Sequence, residues 1–396
     1  MASSSLSSEV LKIEDEIIQT YKTIHQNPEL SFEEKKTAKL VADRLKSLGI
    51  EVKTGVAGTG VIGLLKGEKP GKVIGLRADM DALPMEEEVE WEYKSKVKGV
   101  CHSCGHDTHV AMLLGAATLL AKHRDELHGT VKFIFQPAEE LVGPNGSGAK
   151  LLVEAGVLEN PKVDLIVGVH IVGSLPSKTF GLKPGPMGAH ADPFWITITG
   201  RGSHQVTHNL AIDPVFIAVQ VVNALQGVPN RMIDPRKPFV FSIQAINSGT
   251  KTNIIPDVAT LAGGIRSPDE ESHKKSLKYL NQITKSICEG FGATCKIESR
   301  HGSPLGWSDP KLVKKMSTAL SKIPGTKVHI ETEPDLGSED FRWYQQVVPG
   351  AMFSVGTKNK AKGLLEFNHS SKFRADPDVL KYGTVAFATL ALELSR

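Results

Sequence analysis

The sequence of 396 residues predicts an α/β fold built on a mostly parallel sheet, with a smaller α+β domain inserted into the chain. In the first half of the chain, short runs rich in Val, Ile and Phe alternate with helical stretches, which is typical of parallel βαβ units. The middle of the chain changes to the order β-α-β-β-α-β, which is that of a ferredoxin-like sandwich. A chain of this length is also expected to form more than one domain.

The alternating elements occupy the first part of the chain. We expect helices over 9–26, 31–48 and 107–122, and strands over 61–65, 73–76, 131–135 and 165–169. Ser31, followed by acidic residues, predicts the start of the second helix, and Gly49 predicts its end. The Ser-rich first eight residues are expected to be disordered.

The inserted domain is predicted over residues 187–300, between the segments 1–186 and 301–396 of the larger domain. Its elements are strands over 194–199, 239–246, 258–265 and 294–299, and helices over 213–226 and 269–289. The stretches LKPGPMGAH and RHGSPLG flank it and carry the Gly and Pro that are expected of linkers between domains.

Composition argues against several classes of protein. The chain has 47 basic and 44 acidic residues and no basic stripe, which argues against nucleic-acid binding. The longest apolar run, Ala111–Ala121, is too short to span a bilayer, and the N-terminal stretch does not resemble a secretory signal. Four cysteines in so long a chain do not form a disulfide framework. We therefore expect a cytoplasmic protein without nucleic-acid or membrane partners.

Acidic residues or a histidine follow three of the predicted strands. One strand leads into RADMDALP at 77–84, a second leads into QPAEE at 136–140, and a third ends at His170. In open α/β sheets, ligands bind beyond the carboxyl ends of the strands. These side chains are therefore expected to meet at one edge of the sheet.

The stretch HSCGHDTH at 102–109 is dense in potential metal ligands. Cys104 and His106 flank Gly105, which permits a tight turn just before a predicted helix. The positive end of that helix favours a thiolate, and a thiolate with an imidazole suits zinc and its neighbours among the transition metals. The spacing does not fit a zinc knuckle or a haem attachment site, whereas a redox pair of Cys101 and Cys104 remains an alternative. Taken alone, the stretch leaves a metal site and a structural loop equally open.

The adjacent Glu139 and Glu140 favour the metal site. One carboxylate can bind a metal while the other takes the proton from a bound water. Asp81 can orient a histidine ligand from behind, and His170 and His369 each add a potential ligand. Each residue has an ordinary interpretation by itself, as a turn former, a polar residue at a strand end or a surface histidine. Together with Cys104 and His106, they give five potential ligands and a base.

The inserted domain contributes three further candidates. His204 follows a strand in GRGSH, Asn253 lies in TNIIPD, and Arg266 ends a strand in GGIRS. Each residue alone is expected to be structural. If this domain covers the metal site, they become a histidine that can stabilise an oxyanion, an amide, and a guanidinium that can clamp a carboxylate.

Eight motifs in order resemble those of one enzyme family: RADMDALP, HSCGHD, FQPAEE, GVH, GRGSH, NIIPD, GSEDF and NHSSKF. This is the amidohydrolase family of bacterial N-acyl-amino-acid hydrolases, hippurate hydrolase, plant auxin-conjugate hydrolases and archaeal zinc carboxypeptidases, and the chain is most similar to the last. The resemblance covers nearly the whole chain. It implies a catalytic domain with a two-metal centre, and an inserted lid domain through which the chain forms a homodimer or a dimer of dimers.

The resemblance also implies roles for individual residues. It implies two divalent ions, of zinc or else of cobalt, manganese or nickel. Their implied ligands are Cys104, His106, Glu140, His170 and His369. Glu139 matches the general base, and Asp81 matches the acid that orients a ligand. His204, Asn253 and Arg266 match lid residues that meet the tetrahedral intermediate and the substrate carboxylate, and in several relatives the lid histidine comes from the partner subunit.

The chain departs from the family pattern at three places. After GRGSH the family has small residues followed by Pro-His, whereas this chain reads QVTHNL, so that His208 lacks the preceding proline. This departure is expected to change the shape of the lid loop and hence the substrate preference. Ser103 before the metal cysteine, and Leu336-Gly-Ser-Glu-Asp-Phe in place of Met-Gly-Ala-Glu-Asp-Phe, are expected to be mild changes.

The residues and the resemblance together predict hydrolysis of an amide bond next to a free α-carboxylate. The expected enzyme is a carboxypeptidase or aminoacylase that acts on short peptides and N-acyl amino acids. An amino-acid-conjugate hydrolase of narrower specificity is the alternative among enzymes. A non-catalytic module that binds metal or peptides, and a structural α/β protein without metal, are the alternatives from other classes.

Overall fold

The computed structural model describes residues 2–141, 146–333 and 336–396, which form two compact units. The large unit contains residues up to Pro186, Gly306–Glu333 and Asp340–Arg396, and the small unit contains Met187–Leu305 with residues 336–339. The small unit thus begins where the sequence placed the inserted domain, but it extends beyond residue 300. It also takes in a short segment that follows much later in the chain.

The elements are numbered in chain order. The first segment of the large unit contains α1 (Ala2–Glu9), α2 (Glu14–His25), α3 (Lys35–Ser47), β1 (Glu51–Val56), β2 (Gly60–Lys66), β3 (Lys69–Asp79), α4 (His106–Lys122), β4 (His128–Gln136), α5 (Gly148–Glu154), β5 (Leu165–Pro176), β6 (Thr179–Leu182) and β7 (Gly185–Met187). The small unit contains β8 (His190–Thr199), β9 (Ser203–His204), α6 (Pro214–Leu225), α7 (Gly227–Met232), β10 (Val240–Ser248), β11 (Ile254–Ile255), β12 (Val258–Ser267), α8 (Glu270–Gly290) and β13 (Thr294–Ser299). The return segment contains β14 (Gly306–Ser308), α9 (Pro310–Leu320), β15 (Lys327–Ile330), α10 (Arg342–Gln345), β16 (Gly350–Lys358) and α11 (Leu380–Leu394).

A mostly parallel sheet forms the centre of the large unit, as the sequence predicts. Its strand order is β1-β2-β4-β3-β5-β16-β14-β7, with β6 and β15 attached beside β16. The four central pairings from β4 to β14 are parallel, and β1 and β2 form an antiparallel edge. Helix α4 packs between this sheet and helices α2 and α11, and all of its residues from His106 to Leu120 are buried. Because it is buried on all sides, the helix has an almost continuous apolar sequence after its first turn.

The small unit is the predicted ferredoxin-like sandwich. Its antiparallel sheet has the order β10-β12-β8-β13, and helices α6 and α8 pack on it. The apolar side chains of β8 alternate along the strand, so that Phe194, Ile196 and Ile198 are buried in the core between the sheet and the helices. A short ribbon of β9 and β11 extends from the same unit.

Two details of the N-terminal region differ from the prediction. The Ser-rich start is helical in α1 and not disordered, because Leu6 is buried in the apolar core. The third helix begins at Lys35 and not at Ser31, because the Glu29 carboxylate accepts hydrogen bonds from the backbone N–H of Lys36 and Thr37. The predicted end at Gly49 is confirmed by its positive φ of 68°.

Among the described residues, no helix is long and apolar enough to cross a membrane.

Candidate metal centre

The five ligands that the sequence predicts converge at the carboxyl edge of the large unit's sheet. Cys104 and His106 stand at the start of α4, Glu140 follows β4, His170 lies in β5, and His369 lies in the loop between β16 and α11. Cys104 Sγ is 3.4 Å from His170 Nε2, and Glu140 Oε1 is 3.1 Å from His369 Nε2 and 4.0 Å from His106 Nε2. Their ligand atoms fall into overlapping groups whose members lie within 4.8 Å of one another.

Backbone conformations that few residues tolerate bring these side chains together. Gly105 has a φ of 93°, and a Cβ at this position would lie 2.3 Å from Ile171 Cγ2, so that glycine is required between Cys104 and His106. His369 adopts a φ of 67° and donates its backbone N–H to the carbonyl of Ser103 at 2.8 Å. The two loops that carry ligands are therefore joined directly to each other.

Asn368 is a positioning residue that the sequence analysis missed. Its side-chain amide donates to the carbonyl oxygens of Cys104 and Ile171, at 2.8 and 3.1 Å, and its oxygen accepts from the N–H of Gly173. One side chain thus connects the His369 loop, the start of α4 and strand β5. Only its place beside His369 in FNHSSKF could have pointed to it.

Two ligand atoms of the cluster are buried without a hydrogen-bond partner among the described residues. They are Nε2 of His106 and Oε1 of Glu140, which His369 Nε2 approaches to 3.1 Å without the angles of a hydrogen bond. Buried polar atoms are nearly always satisfied, because leaving them unpaired costs free energy. A donor set of one thiol, three imidazoles and a carboxylate matches the ligands that zinc and its neighbours prefer. The residues therefore fit the divalent ions that the sequence analysis expects.

The electrostatics of the cluster favour a cation. Burial opposes protonation of His106, but the Asp79 carboxylate dominates and raises the pKa of this histidine well above its usual range. Burial raises the pKa of the Cys104 thiol well above its usual range, and so it opposes the thiolate that the end of helix α4 is expected to favour. A thiolate at this position requires a compensating positive charge.

Asp81 lies beside the His106 ring, as the sequence predicted for an acid that orients a ligand. It is 1% exposed, and its Oδ1 lies 3.3 Å from His106 Nδ1. The same carboxylate accepts the backbone N–H groups of Glu139 and Glu140, each at 3.0 Å, and the Ser31 hydroxyl at 2.7 Å. Asp81 thus fixes the ring of one candidate ligand and the loop that carries another. Because the Ser31 hydroxyl donates to Asp81, it does not cap helix α3.

Glu139 lies beside the ligand cluster and is partly buried. Its Oε1 accepts the backbone N–H of Asp340 at 3.3 Å. The loop that carries it is held by a buried acid that the sequence analysis missed, Glu34, which accepts the N–H of Ala138 at 2.9 Å. Ala138 has a φ of 49°, which shows how sharply the QPAEE segment turns after β4.

A buried network anchors the ends of β3 and β4. Arg77 pairs with Asp79 at 2.7 Å and with Asp340 at 3.0 Å, and it donates to Gln136 at 2.8 Å. Asp79 also binds Nδ1 of His109, and the Nε2 of that histidine accepts the N–H of Ile171 at 2.8 Å. The last histidine of HSCGHDTH is therefore a structural tie between α4, β3 and β5.

The residue after His106 belongs to a second buried network. Asp107 accepts from His25 Nδ1, and His25 Nε2 lies 3.3 Å from Glu87. Burial alone would lower the pKa of His25, but Asp107 and Glu87 outweigh it and raise this pKa to about 9.

The three candidates in the small unit do not lie together within one chain. His204 pairs with Ile254 in the β9–β11 ribbon, and the carbonyl of Asn253 accepts the N–H of Gln205 at 3.2 Å, so these two residues are neighbours. Arg266 pairs with Ala191 at the start of β8, whereas the ribbon follows the end of that strand. At about 3.3 Å per residue, the length of β8 separates them by roughly 25 Å.

Comparisons with known proteins match the chain to one family model and to several enzymes. The family model "Peptidase family M20/M25/M40" matches residues 75–393. The chain is 49% identical over 392 residues to thermostable carboxypeptidase 2 of Saccharolobus solfataricus, with 98% of each chain covered. It is 40% identical over 372 residues to IAA-amino acid hydrolase ILR1-like 4 of Arabidopsis thaliana, with 93% of this chain and 83% of that protein covered.

A solved structure extends the similarity to the whole fold. The Bacillus subtilis YXEP protein, described as a dinuclear metal-binding peptidase of the M20 family, superposes with a TM-score of 0.81. The two proteins are 35% identical, and the match covers 97% of this chain and 99% of that one. The resemblance and the fold class that the sequence analysis predicted are thereby confirmed.

Proposed function

This chain belongs to peptidase family M20/M25/M40, and we propose that it hydrolyses an amide bond next to a free α-carboxylate. It is a metal-dependent hydrolase of that family, and we assign to it carboxypeptidase or aminoacylase activity on short peptides and N-acyl amino acids. The observation that carries the proposal is the convergence of five ligand side chains around buried, unsatisfied atoms, with the carboxylate of Glu139 beside them.

Cys104, His106, Glu140, His170 and His369 would hold two divalent ions, which we propose to be zinc. When bound, such ions polarise the carbonyl of the scissile amide and make water acidic enough to deprotonate near neutral pH. Nitrogen and sulfur ligands favour zinc or its neighbours over magnesium and calcium, which prefer oxygen.

Glu139 serves as the general base in this proposal. It takes the proton from the attacking water and later delivers it to the leaving amine. Its backbone N–H is held by Asp81, and its carboxylate by the N–H of Asp340, so that the side chain stays beside the ligand cluster. His204 stabilises the oxyanion, and Asn253 and Arg266 bind the substrate carboxylate.

We further propose that the enzyme is a homodimer formed through the small unit. Arg266 pairs with the start of β8, whereas His204 lies in the ribbon that follows the end of this strand, so a single active site can use both only if two chains contribute. The outer face of α6 supports this assembly, because Phe216 and Val219 are 49% and 45% exposed, and Phe216 packs edge-on against the exposed Phe291. Apolar side chains of this size on one surface favour a protein partner.

The four cysteines are free, which fits a reducing compartment, and we place the enzyme in the cytoplasm. The similarity to a plant conjugate hydrolase supports narrower specificity for amino-acid conjugates as the second candidate function. Rates on benzoyl-amino acids, benzyloxycarbonyl-amino acids and dipeptides would separate the two candidates.

The variant Glu139→Gln tests the proposed chemistry. It removes the base but keeps the shape of the side chain, so we expect turnover to fall by roughly two to four decades while the metal content is unchanged. Glu140→Gln is the matched control, because it should lower the metal content as well. Near-normal turnover of Glu139→Gln would refute the role of this base.

The variant Phe216→Asp tests the proposed dimer. A carboxylate at the centre of the exposed apolar face should prevent association, so we expect a monomer in sedimentation analysis and a large loss of activity at unchanged metal content. Glu289→Lys, on the exposed end of α8, is the charge-change control. A monomeric wild type with full activity would contradict both the dimer and the shared site.

A further inference from the structure

A second cluster of potential metal ligands lies within the small unit. His190 begins β8, His273 lies in the first turn of α8, and His301 follows β13. One ring nitrogen from each histidine lies within 4.8 Å of the other two. The rings of His190 and His273 are stacked with centroids 4.3 Å apart, and the His301 ring lies 5.5 and 5.3 Å from them.

The cluster contains buried polar atoms that the described parts of the chain leave unsatisfied. His190 is 5% exposed, and neither of its ring nitrogens makes a hydrogen bond. The same holds for both ring nitrogens of His273 and for Oδ2 of Asp192, which is 2% exposed. His190 Nε2 lies 3.3 Å from Glu270, and His273 Nε2 lies 2.9 Å from Asp192, but neither approach has the angles of a hydrogen bond. This is the pattern that also marks the candidate metal centre.

The charged groups beside the cluster suit a cation. Asp192 is 2% exposed, and the more exposed Glu270 carboxylate lies 3.3 Å from His190 Nε2. Asp192 and the nearby Glu270 supply two negative charges, which one divalent ion would balance.

We propose that His190, His273 and His301 bind one divalent transition-metal ion, separate from the metals of the active centre. Three imidazoles select zinc, cobalt, nickel or copper over calcium and magnesium. Asp192 serves as the orienting carboxylate, because its Oδ1 accepts from His301 Nδ1 at 3.0 Å, as acids behind metal-binding histidines commonly do. In a tetrahedral zinc site with Zn–N bonds of about 2.0–2.1 Å, the nitrogens are about 3.3 Å apart, so the stacked rings of His190 and His273 must tilt away from each other for both lone pairs to point at one ion.

A hydrogen-bonded network around Asp192 without metal is the competing explanation. It accounts for His301 and, with some adjustment of its ring, for His273. It does not account for His190, which is buried and neither donates nor accepts a hydrogen bond within the described chain. A metal satisfies all three rings, and it would link the start of β8, the start of α8 and the segment after β13.

Counting metals per chain tests the proposal. The full-length protein is stripped with a chelator, reloaded with zinc, dialysed, and analysed by elemental mass spectrometry. His190→Phe keeps a stacked ring but removes both nitrogens, and we expect it to bind one zinc ion fewer than the wild type, with turnover retained. His301→Asn, at a more exposed position, provides the same test if the first variant does not fold. His329→Asn, on an exposed strand of the large unit, is the control and should retain every ion.

The affinity of the remaining site gives a second readout. Asp192→Asn should keep the three rings but weaken zinc binding at this site about 10- to 100-fold, as measured by competition with a chelating dye. In zinc-soaked crystals, an anomalous peak is expected about 2.0–2.1 Å from a nitrogen of each ring. Equal zinc content in the wild type, His190→Phe and His301→Asn would overturn the proposal. The result is independent of the proposed catalytic metals, because without them the wild type would bind one ion and His190→Phe none.

Discussion

Replacing Asp81 by Asn tests how the protein positions the metal centre. The carboxylate of Asp81 is buried, and its Oδ2 accepts from both the Glu140 N–H and the Ser31 hydroxyl. Asn fits the same space, and its amide nitrogen can turn toward Ser31, whose oxygen can then accept. The N–H of Glu140 is left without its acceptor, which costs about 1–3 kcal/mol.

Two smaller effects oppose each other in this variant. The bonds from Glu139 and His106 to the side chain lose their charge assistance, whereas a neutral amide is cheaper to bury than a carboxylate. We therefore expect the free energy of unfolding to fall by about 1–3 kcal/mol. Because the His106 ring also loses the acid that orients it, zinc affinity should fall about 10- to 100-fold.

The assay compares urea unfolding of the metal-free protein with zinc affinity measured by dye competition. Ser31→Ala is the matched control, since it removes one hydrogen bond to the same carboxylate and leaves the contact with His106. It should cost about 1 kcal/mol and leave zinc affinity unchanged. If Asp81→Asn binds zinc as tightly as the wild type, the reasoning that Asp81 positions a ligand is refuted.

Two further predictions concern buried ionisable groups away from the reaction. Lys132 is 2% exposed and donates hydrogen bonds to the carbonyls of residues 157, 159 and 161, at 2.7–2.9 Å. The variant Lys132→Met should therefore lower the free energy of unfolding by about 2–4 kcal/mol in urea titrations. The control Lys66→Met, at an exposed strand end, should have little effect. If Lys132→Met loses no stability, then removing the buried charge compensates for the three lost hydrogen bonds. The pKa of His25, raised from 6.5 to about 9, means that its stabilising contribution is complete below pH 6.5 and disappears as the pH rises through 9. At about 1.4 kcal/mol per pKa unit, this raised pKa corresponds to about 3 kcal/mol of stability at low pH. The variant His25→Gln should remove that part of the pH dependence. If the plots of unfolding free energy against pH run parallel for the variant and the wild type, this prediction is contradicted.

Residues that act through distant partners could not be found from the sequence. Glu34 and Asn368 look like ordinary helix-start and loop residues, because the backbone groups they bind lie far away in the chain. Ser31 has the pattern of a helix cap, but the buried Asp81 carboxylate is a stronger acceptor and takes its hydroxyl. Local sequence patterns reflect only interactions between residues that are close in the chain. Tertiary contacts with distant residues can override those interactions.

The histidine cluster of the small unit shows the same limit. His190, His273 and His301 lie in three different segments and carry no motif, so only the packing of α8 and the segment after β13 beside the start of β8 brings their rings together. The sequence likewise predicted that His204 and Arg266 face the substrate, without showing which chain supplies each residue. Strand β8 separates them, because Arg266 pairs with its start and the ribbon with His204 follows its end, so we expect that a site using both residues needs a second chain.

By itself the sequence predicted the α/β architecture with its ferredoxin-like insertion, and it singled out five candidate ligands that the structure brings together at one edge of the sheet. It could do so because short stretches of sequence indicate where strands end, where glycine permits a turn and which side chains can bind a metal. The topology of a parallel sheet then brings those stretches to one edge. Only the tertiary structure decided which groups hold the candidate ligands in place, which buried atoms of the described residues lack a hydrogen-bond partner, and that burial raises the pKa of the Cys104 thiol. These properties depend on desolvation and on contacts between distant segments, which exist only once the chain has folded.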